Sequence, residues 1–144
     1  MKTLVFDNYR VGEWVCQRTG GSYAEGTAIG LEENGELIAG VLYDHYNGKS
    51  IAMHVAAEGK RWMTREYLWT CFHYPFVQLG VKKILGFVDT TNLQAQRFDE
   101  HLGFTRECVI KDASQYGDLI IYSMTPEQCR FIKDYHGKLQ PVTA

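Results

Sequence analysis

Residues 50–104 constrain this chain more than any other stretch, because they alternate two kinds of apolar period. Ile51-Ala-Met-His-Val-Ala-Ala57 is short and almost wholly apolar, which suits a strand covered on both faces better than a helix. From about Arg61 the spacing changes. Leu68, Cys71, Phe72, Phe76 and Leu79 recur at three- and four-residue steps and predict one helical stripe, stopped by Gly80. Val81-Lys-Lys-Ile-Leu-Gly-Phe-Val88 predicts a second buried strand. Strand, crossover helix and strand make a right-handed parallel unit. Asp89-Thr-Thr-Asn92 then offers N-cap side chains to a further helix with Ala95, Phe98 and Leu102 on one face, closed by Gly103.

The flanks read as antiparallel. Thr27-Ala-Ile-Gly-Leu-Glu32 and Glu36-Leu-Ile-Ala-Gly-Val-Leu-Tyr43 are extended runs joined through Asn34-Gly35, a strong hairpin signal because both residues tolerate positive φ. Thr3-Leu-Val-Phe6 predicts a first strand, and Asp7 or Asn8 a cap for a short helix toward Arg18, broken by Gly20-Gly21-Ser22. Glu107-Cys-Val-Ile110 and Leu119-Ile-Ile-Tyr-Ser-Met124 predict a terminal hairpin. Thr125-Pro126-Glu127-Gln128 predicts a helix start, with the helix running to about Tyr135 and a frayed tail from Lys138. The class implied is α/β of the α+β kind: a mixed, mostly antiparallel sheet around a central parallel pair.

At 144 residues and 45% hydrophobic, the chain is expected to form one domain. A net charge of −2 argues against a polybasic nucleic-acid binder, and no apolar run is long enough to span a bilayer. Cys16, Cys71, Cys108 and Cys129 are scattered without metal-ligand spacing, so no metal is expected, and they read as reduced thiols of a cytoplasmic protein.

Val55-x-Ala57 through Leu68, Asn92-Leu-Gln-Ala95 and His101-Leu-Gly-Phe104 together resemble the GNAT superfamily of acetyl-CoA-dependent N-acetyltransferases. The likeness is nearest to the ribosomal-protein alanine acetyltransferases and to versions carried by phages and prophages. It implies a central strand pair that splays apart and a pantetheine arm lying in the gap. The backbone of Val55 and Ala57 would meet that arm. The N–H groups of Lys60, Arg61, Trp62, Met63, Thr64 and Arg65 would surround the pyrophosphate, with Asn92 and Phe98 completing the cofactor contacts. The family's Gln/Arg-x-x-Gly-x-Gly/Ala falls on Lys60, Met63 and Arg65, so a basic residue opens the loop but both small positions are lost. Arg61 and Arg65 are expected to compensate by direct phosphate contacts. Many members carry a tyrosine seven residues after the Asn as general acid. Asp99 stands there, and an ordinary ionised Asp cannot donate a proton at neutral pH.

For a general base the sequence offers His54 on the central strand and Glu58 at its end, both on the face opposite Met53 and Val55. His54 also reads as a hydrogen-bonded core residue. Glu33, Asp44, His45 and Tyr116 could line an acceptor site or be solvated turn residues. Tyr67, Trp69, Phe72, Tyr74 and Phe76 crowd one helix and read as core; exposed, they would instead mark a homodimer face. The expected activity is transfer of an acetyl group to the primary amine of an acceptor. The alternative is a catalytically degenerate GNAT-fold binding or virion-associated module.

Overall fold

Asn34 and Gly35 both adopt positive φ, 55° and 84°, and turn strand β2 (Thr27–Glu33) back onto β3 (Glu36–Asp44) as the sequence requires. The structure, a computed structural model, describes residues 1–133. The remaining strands are β1 (Lys2–Val5), β4 (Ser50–Ala57), β5 (Lys83–Asp89), β6 (Thr105–Ile110) and β7 (Leu119–Met124). They form one seven-stranded sheet in the order β1-β2-β3-β4-β5-β7-β6, antiparallel except for the β4–β5 pair. This is the mixed sheet with a central parallel pair that the sequence predicts.

Helix α1 (Asn8–Thr19) lies on one face of the sheet. Its N-cap is Asp7, whose carboxylate accepts from the Arg10 amide at 3.0 Å. The helix approaches closely because Gly30 and Gly40, paired directly opposite each other on β2 and β3, present no side chains to it. A Cβ on Gly40 would lie 2.7 Å from Val15 Cγ2, and one on Gly30 2.7 Å from Val11 Cγ2. Val11 and Val15 are thereby fully buried, which stabilises the face by roughly 1.5–3 kcal/mol for each side chain.

The opposite face carries the larger core. Helix α2 (Arg65–His73) starts later than the predicted Arg61, because the Thr64 hydroxyl accepts from the Tyr67 amide and fixes the N-cap there. Pro75 cannot supply an amide, and the chain widens into a π-helical turn, Tyr74–Gln78, whose Pro75 carbonyl accepts from Val81 N at 3.0 Å. The crowded aromatics are core: Tyr67, Trp69, Phe72, Tyr74 and Phe76 are all buried, so they offer no homodimer face. Their hydroxyls are satisfied, with Tyr67 Oη donating to Ile29 O at 2.9 Å and Tyr74 Oη to Thr27 Oγ1 at 3.1 Å.

Helix α3 (Leu93–Leu102) packs on this same core through Ala95, Phe98 and Leu102, and ends at Gly103 at φ 111°. The predicted C-terminal helix is a correction. Thr125 and Gln128 do form a capping box, but the segment they open is a single 3₁₀ turn, Pro126–Gln128, which ends when Cys129 returns to extended backbone. The expected end near Tyr135 and the tail beyond it lie outside the described residues. All four cysteines are free thiols, as expected.

Candidate acyl-transfer site

The two parallel strands are paired only at Ser50↔Lys83, Ile51↔Ile84 and Ala52↔Leu85. Beyond that point β4 keeps its ladder to β3 as far as Ala57, and β5 keeps its ladder to β7 as far as Asp89. Their facing edges separate. Backbone amides and carbonyls along those edges lack sheet partners, and such groups require another partner. A cavity of about 1250 Å³ opens from this gap, walled by residues 53–58 on one side and 86–89 on the other. Its rim includes residues 19–22, at the end of α1, and residues 114–116 of the β6–β7 loop.

Asp89 fastens that loop. Its carboxylate accepts from Thr91 N at 2.8 Å, Thr91 Oγ1 at 2.7 Å and Tyr116 N at 2.9 Å, and the Thr91 bonds first of all hold it well below the usual carboxylate range.

On the α1 side of the cavity, His54 Nε2 and His45 Nδ1 each meet Asp44 Oδ1 at 2.8 Å. Phe87 lies beside both rings, at 6.3 and 6.4 Å. His45 adopts φ 57°, a left-handed conformation uncommon for a residue with a side chain. Among the described residues, Asp44, His45 and His54 are the group whose donor atoms, within 4.8 Å of one another, could hold a metal ion. Each imidazole already has a carboxylate partner, so the group is satisfied without one. Glu58 lies on the same side and receives Arg18 Nη2 at 3.4 Å. Glu33 lies elsewhere, where Arg61 donates to it at 2.7 Å.

On the opposite side stands Asp99. Its Oδ2 would come within 3.1 Å of a Cβ on Gly86, the first β5 residue past the last β4–β5 pair. Burial, with Glu100 beside it, pushes the Asp99 carboxyl up to about 7. This corrects the expectation that Asp99 is an ordinary ionised carboxylate: near neutral pH a substantial fraction carries a proton.

The expected cofactor residues are placed unequally. Val55, Ala57, Asn92 and Phe98 line the cavity, whereas none of residues 60–65 does. Trp62 is a core side chain, its Nε1 donating to Gly59 O at 3.1 Å and its ring 5.4 Å from Phe98, so only its backbone is available to a ligand. Thr64 is committed on both counts, its hydroxyl to the cap and its N–H to Trp62 O at 2.8 Å. Arg61 donates to Glu33 at 2.7 Å, with most of its side chain exposed. Asn92 divides its amide: Oδ1 accepts from Ala95 N at 3.0 Å as the α3 cap, which leaves the NH₂ to donate. Phe87, Glu25 and Gly86 were not singled out by sequence. An aromatic next to a glycine inside an apolar run was the available signal for two of them.

A mixed sheet with a splayed parallel pair over an open cavity defines the architecture of a GNAT-fold protein. No family model and no curated protein sequence matches the chain. Solved structures do match. A point mutant of the spermidine N-acetyltransferase SpeG from Vibrio cholerae superposes with a TM-score of 0.70 at 17% identity, covering 91% of this chain and 98% of that one. Mutant forms of the spermidine/spermine N-acetyltransferase SpeG from the same organism give 0.66 at 16% identity, covering 88% and 96%. A chimera of that SpeG with hSSAT gives 0.66 at 17%, covering 86% and 95%. At such identities the likeness is one of fold.

Proposed function

We propose that this chain is a cytoplasmic, single-domain N-acetyltransferase that moves an acetyl group from acetyl-CoA to a primary amine by direct transfer. The observation that carries the reading is the open gap past Ala52 and Leu85, with unpaired strand edges facing an unfilled cavity. A pantetheine arm is an extended chain bearing amides, and it would supply partners to Val55 and Ala57 on one edge. The diphosphate would meet the backbone near the α2 N-terminus with Lys60 and Arg65 beside it. The Asn92 NH₂ and the Phe98 ring would contact the arm from α3.

His54 is the proposed general base. Its Nε2 faces an acceptor-only carboxylate and therefore carries hydrogen, which leaves the Nδ1 lone pair to take a proton from the attacking amine. Glu58 is the second candidate, although Arg18 already engages it.

The acceptor is a cationic amine. Glu25, Asp44, Glu58 and Asp89 wall the acceptor side of the cavity, where Arg18 is the sole Lys or Arg among the described residues and is bound to Glu58. Such a wall concentrates cations and disfavours anionic acceptors. The spermidine N-acetyltransferases among the structural neighbours agree with this reading. The likeness to the ribosomal-protein and phage-borne branch points instead to a protein N-terminal amine.

Calorimetry with acetyl-CoA, followed by an acetylation assay offering polyamines and Ala-initiated basic peptides, tests the reading. Binding and turnover of a cationic acceptor are expected. The absence of heat and of thermal shift at millimolar acetyl-CoA would remove the enzyme and leave the degenerate binding module, with Met63 and Arg65 standing where the family has small residues.

A further inference from the structure

We infer that Asp44, His45 and His54 form a binding site for a divalent metal ion of the Zn²⁺ class, and that the bound ion blocks acyl transfer; the second half rests on the acyltransferase reading of the slot. The three donor atoms lie within 4.8 Å of one another. One oxygen, Asp44 Oδ1, meets both imidazoles at 2.8 Å, His54 through Nε2 and His45 through Nδ1. Two imidazole nitrogens and a carboxylate oxygen suit zinc, whereas Mg²⁺ and Ca²⁺ prefer oxygen alone. Ligand atoms on a tetrahedral zinc stand about 3.4 Å apart, so each nitrogen need withdraw by only ~0.6 Å to admit the ion.

The sheet holds these ligands before any ion arrives. Asp44 ends β3 in register with Ala52, and His54 stands two residues further along β4 on the same face. His45 follows Asp44 directly, and with its backbone at φ 57° its ring returns to the neighbouring carboxylate. Asn47 Oδ1 fixes the rest of the turn, accepting from Lys49 N and Ser50 N at 2.9 Å. Orienting the base requires only Asp44 and His54. His45 has no part in that pair, yet its nitrogen converges on the same oxygen. Glu25, Glu58 and Asp89 add negative charge around the cavity, which favours a dication there.

Without an ion, His54 carries hydrogen on Nε2 and keeps the Nδ1 lone pair for the amine. A metal takes an Nε2 lone pair, so the hydrogen moves to Nδ1 and nothing remains to accept a proton from the attacking nitrogen. His45 makes the converse change, binding through Nδ1 with its hydrogen on Nε2. Neither ring gains or loses a proton overall. The same ion also places positive charge where the acidic wall gathers a cationic amine.

The test titrates the full chain with ZnCl₂ by calorimetry, without acetyl-CoA, beside H45N and with MgCl₂ as competitor. Asn tolerates the left-handed backbone that His45 occupies, so H45N removes the imidazole without straining the turn. A single Zn²⁺ should bind the wild type, undisturbed by Mg²⁺. H45N should bind it at least about 100-fold more weakly, because losing a group that only orients a ligand already costs about 10- to 100-fold. Long-range ¹H–¹⁵N spectra of the wild type should show the His54 hydrogen moving from Nε2 to Nδ1 as zinc is added. In the acetylation assay zinc should inhibit the wild type and EDTA should restore the rate. H45N, measured against its own metal-free rate, should need about 100-fold more zinc. Absence of zinc binding, an unchanged His54 tautomer, or equal affinity in folded H45N, as binding at the exposed Cys108 would give, overturns the site. Zinc bound without inhibition overturns the blocking role. If acetyl-CoA does not bind, the acyltransferase reading falls and the blocking role with it, while calorimetry with zinc and the tautomer spectra still decide the metal site.

Discussion

His54 Nε2 donates to Asp44 Oδ1 at 2.8 Å across the β3–β4 ladder, although the residue paired with His54 in register is Leu42. The bond is therefore diagonal, and it turns the imidazole toward the end of β3. It fixes one tautomer and one ring orientation, which a base needs before substrate arrives. His54→Ala is expected to lower kcat roughly 10²- to 10⁴-fold while leaving acetyl-CoA affinity intact. Asp44→Asn should give a smaller loss, because it frees the ring without removing it. Steady-state kinetics beside calorimetry separate the two effects. Unchanged kcat in His54→Ala would move the base to Glu58.

Asn92 serves two ends of the amide differently, so two substitutions separate them. Asn92→Ala removes the α3 cap and is expected to cost roughly 0.5–2 kcal/mol of stability. Asn92→Asp keeps the cap oxygen and removes the donor. It should unfold at the wild-type denaturant concentration yet bind acetyl-CoA several-fold more weakly. Equal acetyl-CoA affinity in Asn92→Asp would show that Asn92 is only a cap.

Much of the fold was legible because its signals are local. Asn34-Gly35 specifies its own turn, and the three- and four-residue steps from Leu68 specify a buried helix face. The α2 start was misplaced by about a turn because Thr64 competes with the preceding residues for the cap, a choice the periodicity does not encode. The C-terminal helix failed for a related reason: Thr125 to Gln128 form a sound capping box, but a cap does not supply the apolar face that would carry a helix onward. The site was less legible. Asp99 could be found by position and Glu100 is its sequence neighbour, yet the raised carboxyl depends first on burial beside Gly86, which is a tertiary fact. Likewise the pairing of Arg61 with Glu33, distant in sequence, is not encoded locally.

Gly40 opposes Gly30 beneath α1, and this close approach fixes the height of the helix above the sheet. Gly40→Val places new atoms where Val15 Cγ2 already lies 2.7 Å from the Cβ position, so the helix must lift. A loss of about 1–3 kcal/mol is expected from urea unfolding. Because residues 19–22 at the end of α1 rim the cavity, acceptor KM should rise as well. Wild-type stability would mean that the helix adjusts at no cost.

Asp99 also makes stability depend on pH in a direction opposite to that of Asp89. A carboxyl whose folded pKa lies above its unfolded value binds its proton more readily in the folded chain. The stability it contributes is complete below the unfolded value of about 3.9, and it is lost as pH climbs. The loss finishes once pH has passed the folded value of about 7. Asn at this position has nothing to ionise, while every other titrating group is common to both proteins and cancels in the difference. The urea midpoint of D99N should therefore rise relative to wild type between about pH 4 and pH 7 and keep a constant lead above pH 8. A lead that does not change with pH would mean that Asp99 ionises equally in both states, and its burial against Gly86 would then have no electrostatic consequence.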